Sequence, residues 1–211
     1  IGEDDLTCSV TGSSTFDDAS AATGKTVTAT GIELGGDDAS NYSLASTTAT
    51  TTADITPAPI AVSFTVENKV YDNTTSATTT SASSTGALGG DDVSVTGGVA
   101  AFDTPDVGTG KPVSATGFSL TGDDAANYVV DSVATTTANI TKKTVAIAFT
   151  AADKVFDGTT AATILTRSVL GIFEDDTVSA SAGLASFGDA AIGNDKLVTA
   201  SMEGFILGGA Q

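Results

Sequence analysis

Lys69-Val70-Tyr71-Asp72-Asn73-Thr74-Thr75 returns 85 residues further along as Lys154-Val155-Phe156-Asp157-Gly158-Thr159-Thr160. Thr51-Thr52-Ala53-Asp54-Ile55-Thr56 returns at the same offset as Thr136-Thr137-Ala138-Asn139-Ile140-Thr141. Gly36-Asp37-Asp38-Ala39-Ser40-Asn41-Tyr42 returns after 86 residues as Gly122-Asp123-Asp124-Ala125-Ala126-Asn127-Tyr128. An acidic pair occurs three times, at Asp4-Asp5, Asp91-Asp92 and Asp175-Asp176, and Phe16, Phe102 and Phe187 are each followed nine residues later by Lys25, Lys111 and Lys196. So many motifs on one period make the chain a tandem repeat. Its unit, about 85 residues, is near the size of an immunoglobulin-like sandwich.

The period divides the chain into the later part of one repeat (1–56), a whole repeat (57–141) and the earlier part of a third (142–211). Within the whole repeat, Ile60, Val62, Phe64 and Val66 alternate with Ala61, Ser63 and Thr65, the pattern of a strand with one buried and one wet face. Val145, Ile147 and Phe149 repeat it. Further strands are expected near 69–71, 75–82, 92–96, 98–103, 111–120 and 128–140. Turns are expected at Asp72-Asn73, Gly89-Gly90-Asp91, Asp103 to Gly110 and Gly122-Asp123-Asp124. The reading is an all-β chain of tandem immunoglobulin-like β-sandwich repeats. The joints, Thr56-Pro57-Ala58-Pro59 and Thr141-Lys142-Lys143, are short, and proline stiffens the first, so a rod of beads is expected.

Composition agrees. Thr and Val suit half-buried strands, and no stretch keeps a period of 3.6 for three turns. The net charge of −18 disfavours nucleic acid and anionic membrane surfaces as partners. Cys8 is the only cysteine, so no intrachain disulfide forms. No apolar run is long enough to span a membrane, and no signal peptide is read. Histidine is absent, so neither Cys8 nor any serine has the usual activating base, and histidine metal sites are excluded.

Lys-Val-Tyr-Asp-Asn-Thr-Thr at 69–75, Lys-Val-Phe-Asp-Gly-Thr-Thr at 154–160 and Leu-Thr-Gly-Asp-Asp-Ala-Ala-Asn-Tyr at 120–128 resemble the YDG-type repeats of large bacterial surface and secreted proteins, including filamentous haemagglutinin-like adhesins. The resemblance covers essentially the whole chain. Asn73 stands for the glycine of the name motif and Phe156 for its tyrosine; asparagine tolerates turn conformations and phenylalanine fills the same core volume. The resemblance implies tandem β-domains outside the cell, an adhesive or spacer role, and no catalytic residues.

Each recurring motif has a chemical and a structural reading. The Lys-Val-Tyr-Asp turn is a binding loop or, as repetition favours, a structural turn with Tyr71 and Phe156 as core anchors. The Asp37-Asp38 and Asp123-Asp124 turns, with Asp91-Asp92, offer the hard oxygen ligands calcium takes, though the complete loop with a terminal bidentate glutamate is missing. The alternative is an Asx-rich turn before a strand whose Tyr42 or Tyr128 packs inward. Neighbouring carboxylates on a strand face opposite sides and suit acid–base catalysis poorly. Lys25, Lys69, Lys111, Lys154 and Lys196 are read as exposed charges relieving acidic repulsion, ahead of intrachain crosslinks. Asn41, Asn73 and Asn139 fit the glycosylation pattern.

The functional expectation is a stalk segment of a secreted or cell-surface bacterial adhesin, not an enzyme, with no cofactor beyond the calcium candidate. Its expected partners are neighbouring repeats. Self-assembly into an extracellular filament through open sheet edges, and binding of a host or cell-surface protein or glycan, are the alternatives.

Overall fold

The computed structural model describes residues 4–209. Among them the regular structure is strands and three short 3-10 turns, and no helix is long and apolar enough to cross a membrane. The first stretch holds β1 (Thr7–Val10), β2 (Ser14–Phe16), β3 (Ala22–Thr30), β4 (Ile32–Gly35) and β5 (Thr48–Ile55). The middle stretch holds β6 (Ala58–Val66), β7 (Lys69–Val70), β8 (Ser76–Ala77), β9 (Thr79–Thr85), β10 (Ser94–Phe102), β11 (Gly108–Thr121), β12 (Tyr128–Val133) and β13 (Thr136–Thr141). The last holds β14 (Ala146–Ala151), β15 (Ala161–Ala162), β16 (Ile164–Leu170), β17 (Ser179–Ala182), β18 (Ala185–Phe187), β19 (Val198–Ala200) and β20 (Phe205–Gly208). The protein is all-β, as its alternating pattern requires.

The alternation works as written in β6. Ile60, Val62 and Phe64 are 0%, 1% and 5% exposed, while Ala61, Ser63 and Thr65 face solvent. On the wet face, Ser63 bonds the Ser83 hydroxyl at 2.8 Å and Thr65 bonds those of Ser81 and Thr80 at 2.7 Å, tying β6 to β9. β6 pairs with β9 antiparallel and with β12 in parallel, with Val130 opposite Ile60. The second sheet of the middle stretch runs β7-β13-β11-β10-β8. Val95, Phe118 and Leu120 of β10 and β11, with Val93, pack on the Ile60–Val62–Tyr128 cluster, so two sheets close over one core. Each side chain of this size taken fully out of water contributes about 1.5–3 kcal/mol.

Three strand expectations are corrected. The stretch 75–82 holds two strands in different sheets, β8 beside β10 and β9 beside β6. Where two strands were expected at 92–96 and 98–103, Ser94–Phe102 form one. Gly97 and Gly98 adopt φ of +75° and +93°, conformations open to glycine, so the chain bulges and continues; Gly98 also lies directly under the Phe118 ring. Conversely, 128–140 is two strands. After Val133 the chain leaves the β6 sheet, with the Ala134 N–H bonding Val62 O at 2.8 Å, and enters the other sheet at Thr136.

By compactness the chain forms two units, Ile1–Glu67 with Ala77–Ala101 and Val113–Thr137, and Asn68–Ser76 with Phe102–Pro112 and Ala138–Gln211. The repeat period places its joints elsewhere, at 56–59 and 141–143. The first unit contains the β1-β4, β2-β3-β5 and β12-β6-β9 sheets. The second contains β14-β16, β15-β18-β19 and β17-β20. Equivalent contacts recur: Phe64–Phe118 in the first, with centroids 5.9 Å apart, and Phe149–Phe205 in the second, at 6.4 Å.

Candidate functional site

The Lys-x-aromatic-Asp turn is built around its lysine. The Lys69 ammonium donates to Asp72 Oδ1 at 2.7 Å, Thr74 O at 2.6 Å, Thr74 Oγ1 at 3.1 Å and Ser76 O at 3.0 Å. It also lies 5.4 Å from the centre of the Phe102 ring. Lys154 repeats the arrangement on Asp157 Oδ1 (2.8 Å), Thr159 O (2.7 Å), Thr159 Oγ1 (3.0 Å) and Ala161 O (3.1 Å), 5.7 Å from Phe187. Asp72 and Asp157 each also accept the backbone N–H and hydroxyl of the threonine two residues on. The intervening residue is left-handed in both turns, Asn73 at φ +60° and Gly158 at φ +76°, which is why asparagine can replace glycine here.

These lysines are not the solvated charges expected from sequence. The Lys69 side chain is 16% exposed and that of Lys154 25%. Their ammonium groups lie near the phenylalanine rings and meet backbone carbonyls, acceptors a residue list does not reveal. Lys25, Lys111 and Lys196 are likewise withdrawn, at 7%, 13% and 18%. Lys25 meets Asp18 at 2.5 Å and Asp17 at 3.3 Å, Lys111 meets Asp103 at 3.0 Å, and Lys196 meets Asp189. The hydrogen bond from Lys25 holds the Asp18 carboxyl at about 2 and raises the lysine. Lys154 does the same to Asp157, also about 2, and Lys111 and Lys196 lower Asp103 and Asp189. At Asp72, burial pushes the carboxyl up, but the bonds from Lys69 and Thr74 outweigh it and the net shift is downward. Each of these lysines thus closes its own turn or loop as an ionic clasp.

The acidic motifs form a second clasp. The Asp92 N–H donates to Asp124 Oδ2 at 2.9 Å and the Asp124 N–H returns to Asp92 O at 3.2 Å. Asp5 and Asp38 make the same reciprocal pair, at 2.9 and 3.3 Å. The Tyr128 hydroxyl donates to Asp91 Oδ2 at 2.5 Å and accepts the Leu88 N–H at 2.9 Å; that of Tyr42 donates to Asp4. Both phenols are raised, chiefly by these carboxylates. Of the calcium candidates, Asp38, Asp91 and Asp124 thus have a side-chain oxygen engaged, while Asp37, Asp92 and Asp123 are exposed. Among the described residues no three His, Cys, Asp or Glu side chains group as ligands for a metal ion.

The aromatic residues read as anchors do not share one fate. Tyr128 is 7% exposed, within the Ile60–Val62 core. Tyr42 is 42% exposed; among the described strands none pairs with its segment as β6 pairs with that of Tyr128. Phe156 is 61% exposed: the lysine clasp holds its turn without using its ring. Tyr71 is half-buried, and sequence reasoning missed its partner, Phe173, whose ring centre lies 5.8 Å away at 71°. Cys8 is exposed.

In the second unit an open, mostly polar groove is lined by Phe149, Phe187 and Val198 together with Lys154, Asp189 and Lys196. A family model described as the YDG domain matches residues 1–51, 56–138 and 141–211. No curated protein and no solved structure matches the chain.

Proposed function

The chain belongs to the YDG domain family, and from that premise we propose that it is a structural repeat segment, a stalk of an extracellular bacterial adhesin that projects a binding region away from a cell. The observation that carries this reading is the paired lysine clasp. The polar residues of the recurrent turn, Lys69, Asp72 and Thr74 and their counterparts Lys154, Asp157 and Thr159, spend their hydrogen bonds on their own turns, with matching distances in both copies. Residues repeated to build a unit do this; residues repeated to bind present their donors outward. The three matched segments support a serial arrangement. The test is adhesion. Beads carrying the chain alone should not retain bacterial or host cells, whereas beads carrying it beneath a known binding domain should. Retention by the chain alone would move the reading to a ligand-binding module.

A further inference from the structure

We propose that the aromatic residue of the Lys-x-aromatic-Asp turn couples one repeat to the next, its ring and hydroxyl gripping the acidic loop of the following repeat. Tyr71 belongs by period to the whole repeat, yet its ring meets Phe173 edge-on and its hydroxyl, 3.3 Å from Asn73 Oδ1 in its own turn, donates at the shorter 2.7 Å to Asp176 Oδ1; Phe173 and Asp176 are both in the following repeat. The ammonium of Lys143, the last residue of the joint, lies 4.7 Å from the centre of the same Phe173 ring. Phe173 is thus held by a ring edge and a cation. Tyr71 is itself fixed to the joint, because its N–H donates to Thr141 O at 2.8 Å.

Three observations argue that this is a role and not an incidental neighbour. First, the turn does not need the ring. Lys154, Asp157 and Thr159 make the same clasp around Phe156, whose side chain stays 61% exposed, so the aromatic position is free to act outside its own turn. Second, the receiving loop is itself a repeated element. The Asp176 N–H bonds Phe173 O at 3.1 Å as the Asp91 N–H bonds Leu88 O at 3.2 Å, and in the middle repeat Asp91 also takes a tyrosine hydroxyl, that of Tyr128. The loop therefore offers a carboxylate beside a large apolar residue, the complement of a tyrosine. Third, another recurrent side chain reaches across the preceding period boundary: Asn127 Oδ1 accepts the Ala21 N–H at 2.9 Å. The Tyr71 hydroxyl is pushed up to about 12, chiefly by its bond to Asp176, and remains a donor at any neutral pH. Phenylalanine at this position, as at Phe156, keeps the ring contact and gives up the hydroxyl bond, so the choice between the two residues grades the joint.

The inference rests on the structural-repeat reading only in taking successive repeats as mechanical neighbours, and it is tested without any adhesion assay. Hydrogen–deuterium exchange is measured on the full chain and on Tyr71→Ala, Tyr71→Phe, Phe173→Ala and the Tyr71→Ala/Phe173→Ala double variant, with Phe156→Ala as control. Loss of the aromatic pair should speed exchange in β14 and β16 about 3- to 10-fold while β6 keeps its rate. Tyr71→Phe should give a smaller increase, the double variant no more than the larger single, and Phe156→Ala none. Unchanged exchange in β14 and β16 on Tyr71→Ala overturns the proposal. So does an equal rise in β6, which would make Tyr71 an anchor of its own repeat, and so do additive effects of the two alanines. Tyr71→Phe preserves shape and keeps the test valid if an alanine variant misfolds.

Discussion

Lys69→Met removes one ammonium and tests whether the recurrent turn is structural. Methionine keeps a flexible apolar side chain of similar length and deletes the donors and the cation beside Phe102. Four acceptor contacts are lost: one carboxylate, one hydroxyl and two backbone carbonyls. The Asp72 side chain is 48% exposed, so the ion pair itself is screened and contributes about 1 kcal/mol or less. Asp72 also keeps its bonds from Thr74. The two carbonyls lose a charged donor in a place where the lysine is only 16% exposed, at about 1 kcal/mol each net. The sum is about 2–3 kcal/mol, which for a unit of this size lowers the melting temperature by about 8–24 °C. Urea unfolding followed by tyrosine fluorescence reads it, because the chain has no tryptophan and two of its three tyrosines, Tyr71 and Tyr128, lie in the middle stretch. The exposed Lys142→Met is the control. A loss below about 0.5 kcal/mol, the range of ordinary surface substitutions, would return Lys69 to the solvated charge the sequence suggested and refute the clasp argument.

The remaining expectations concern pH, backbone and ions. Asp18, Asp72, Asp103, Asp157 and Asp189 all have lowered carboxyls, so the stability they give is present above the unfolded value of about 3.9 and drains as pH falls toward about 2; circular dichroism should show acid unfolding in that window and not above it. The phenols shift the other way: with Tyr71 raised to about 12 and Tyr42 and Tyr128 also raised, their contribution is complete below about pH 10 and disappears as pH climbs through the folded values, which a spectrophotometric tyrosine titration follows. Gly98→Ala should destabilise by about 1–3 kcal/mol, since a Cβ there combines a φ of +93° with a collision against the Phe118 ring; equal stability in urea would show that β10 lacks the bulge. Millimolar calcium is expected to leave thermal unfolding unchanged, because Asp91 and Asp124 already spend side-chain oxygens on Tyr128 and Asp92; a rise of several degrees, reversed by chelator, would place an ion at Asp91, Asp92 or Asp123.

The all-β fold was legible because Ile60, Val62 and Phe64 announce a period of two. What sequence could not give was where a strand changes sheet. The step from Val133 to Thr136 carries no glycine or proline, since the chain only twists from one layer to the other, and it read as one strand. Gly97-Gly98 misled in the opposite sense, a pair that ends a strand elsewhere and here bulges it. The lysines were misjudged because half their partners are backbone carbonyls, which every residue has. Tyr71 and Phe173 escaped notice because a period reveals positions that are equivalent, not positions that touch across repeats.

Single-molecule stretching of the chain tests the central claim most directly, that residues 57–141, although divided between the two compact units, unfold as one repeat held together by its recurrent motifs. The account predicts one dominant rupture releasing about 28–31 nm of contour, less the folded end-to-end length, from 85 residues at 3.3–3.6 Å each, at a force that falls in Lys69→Met. A featureless extension, or a single release of the whole chain at a force indifferent to Lys69, would contradict it.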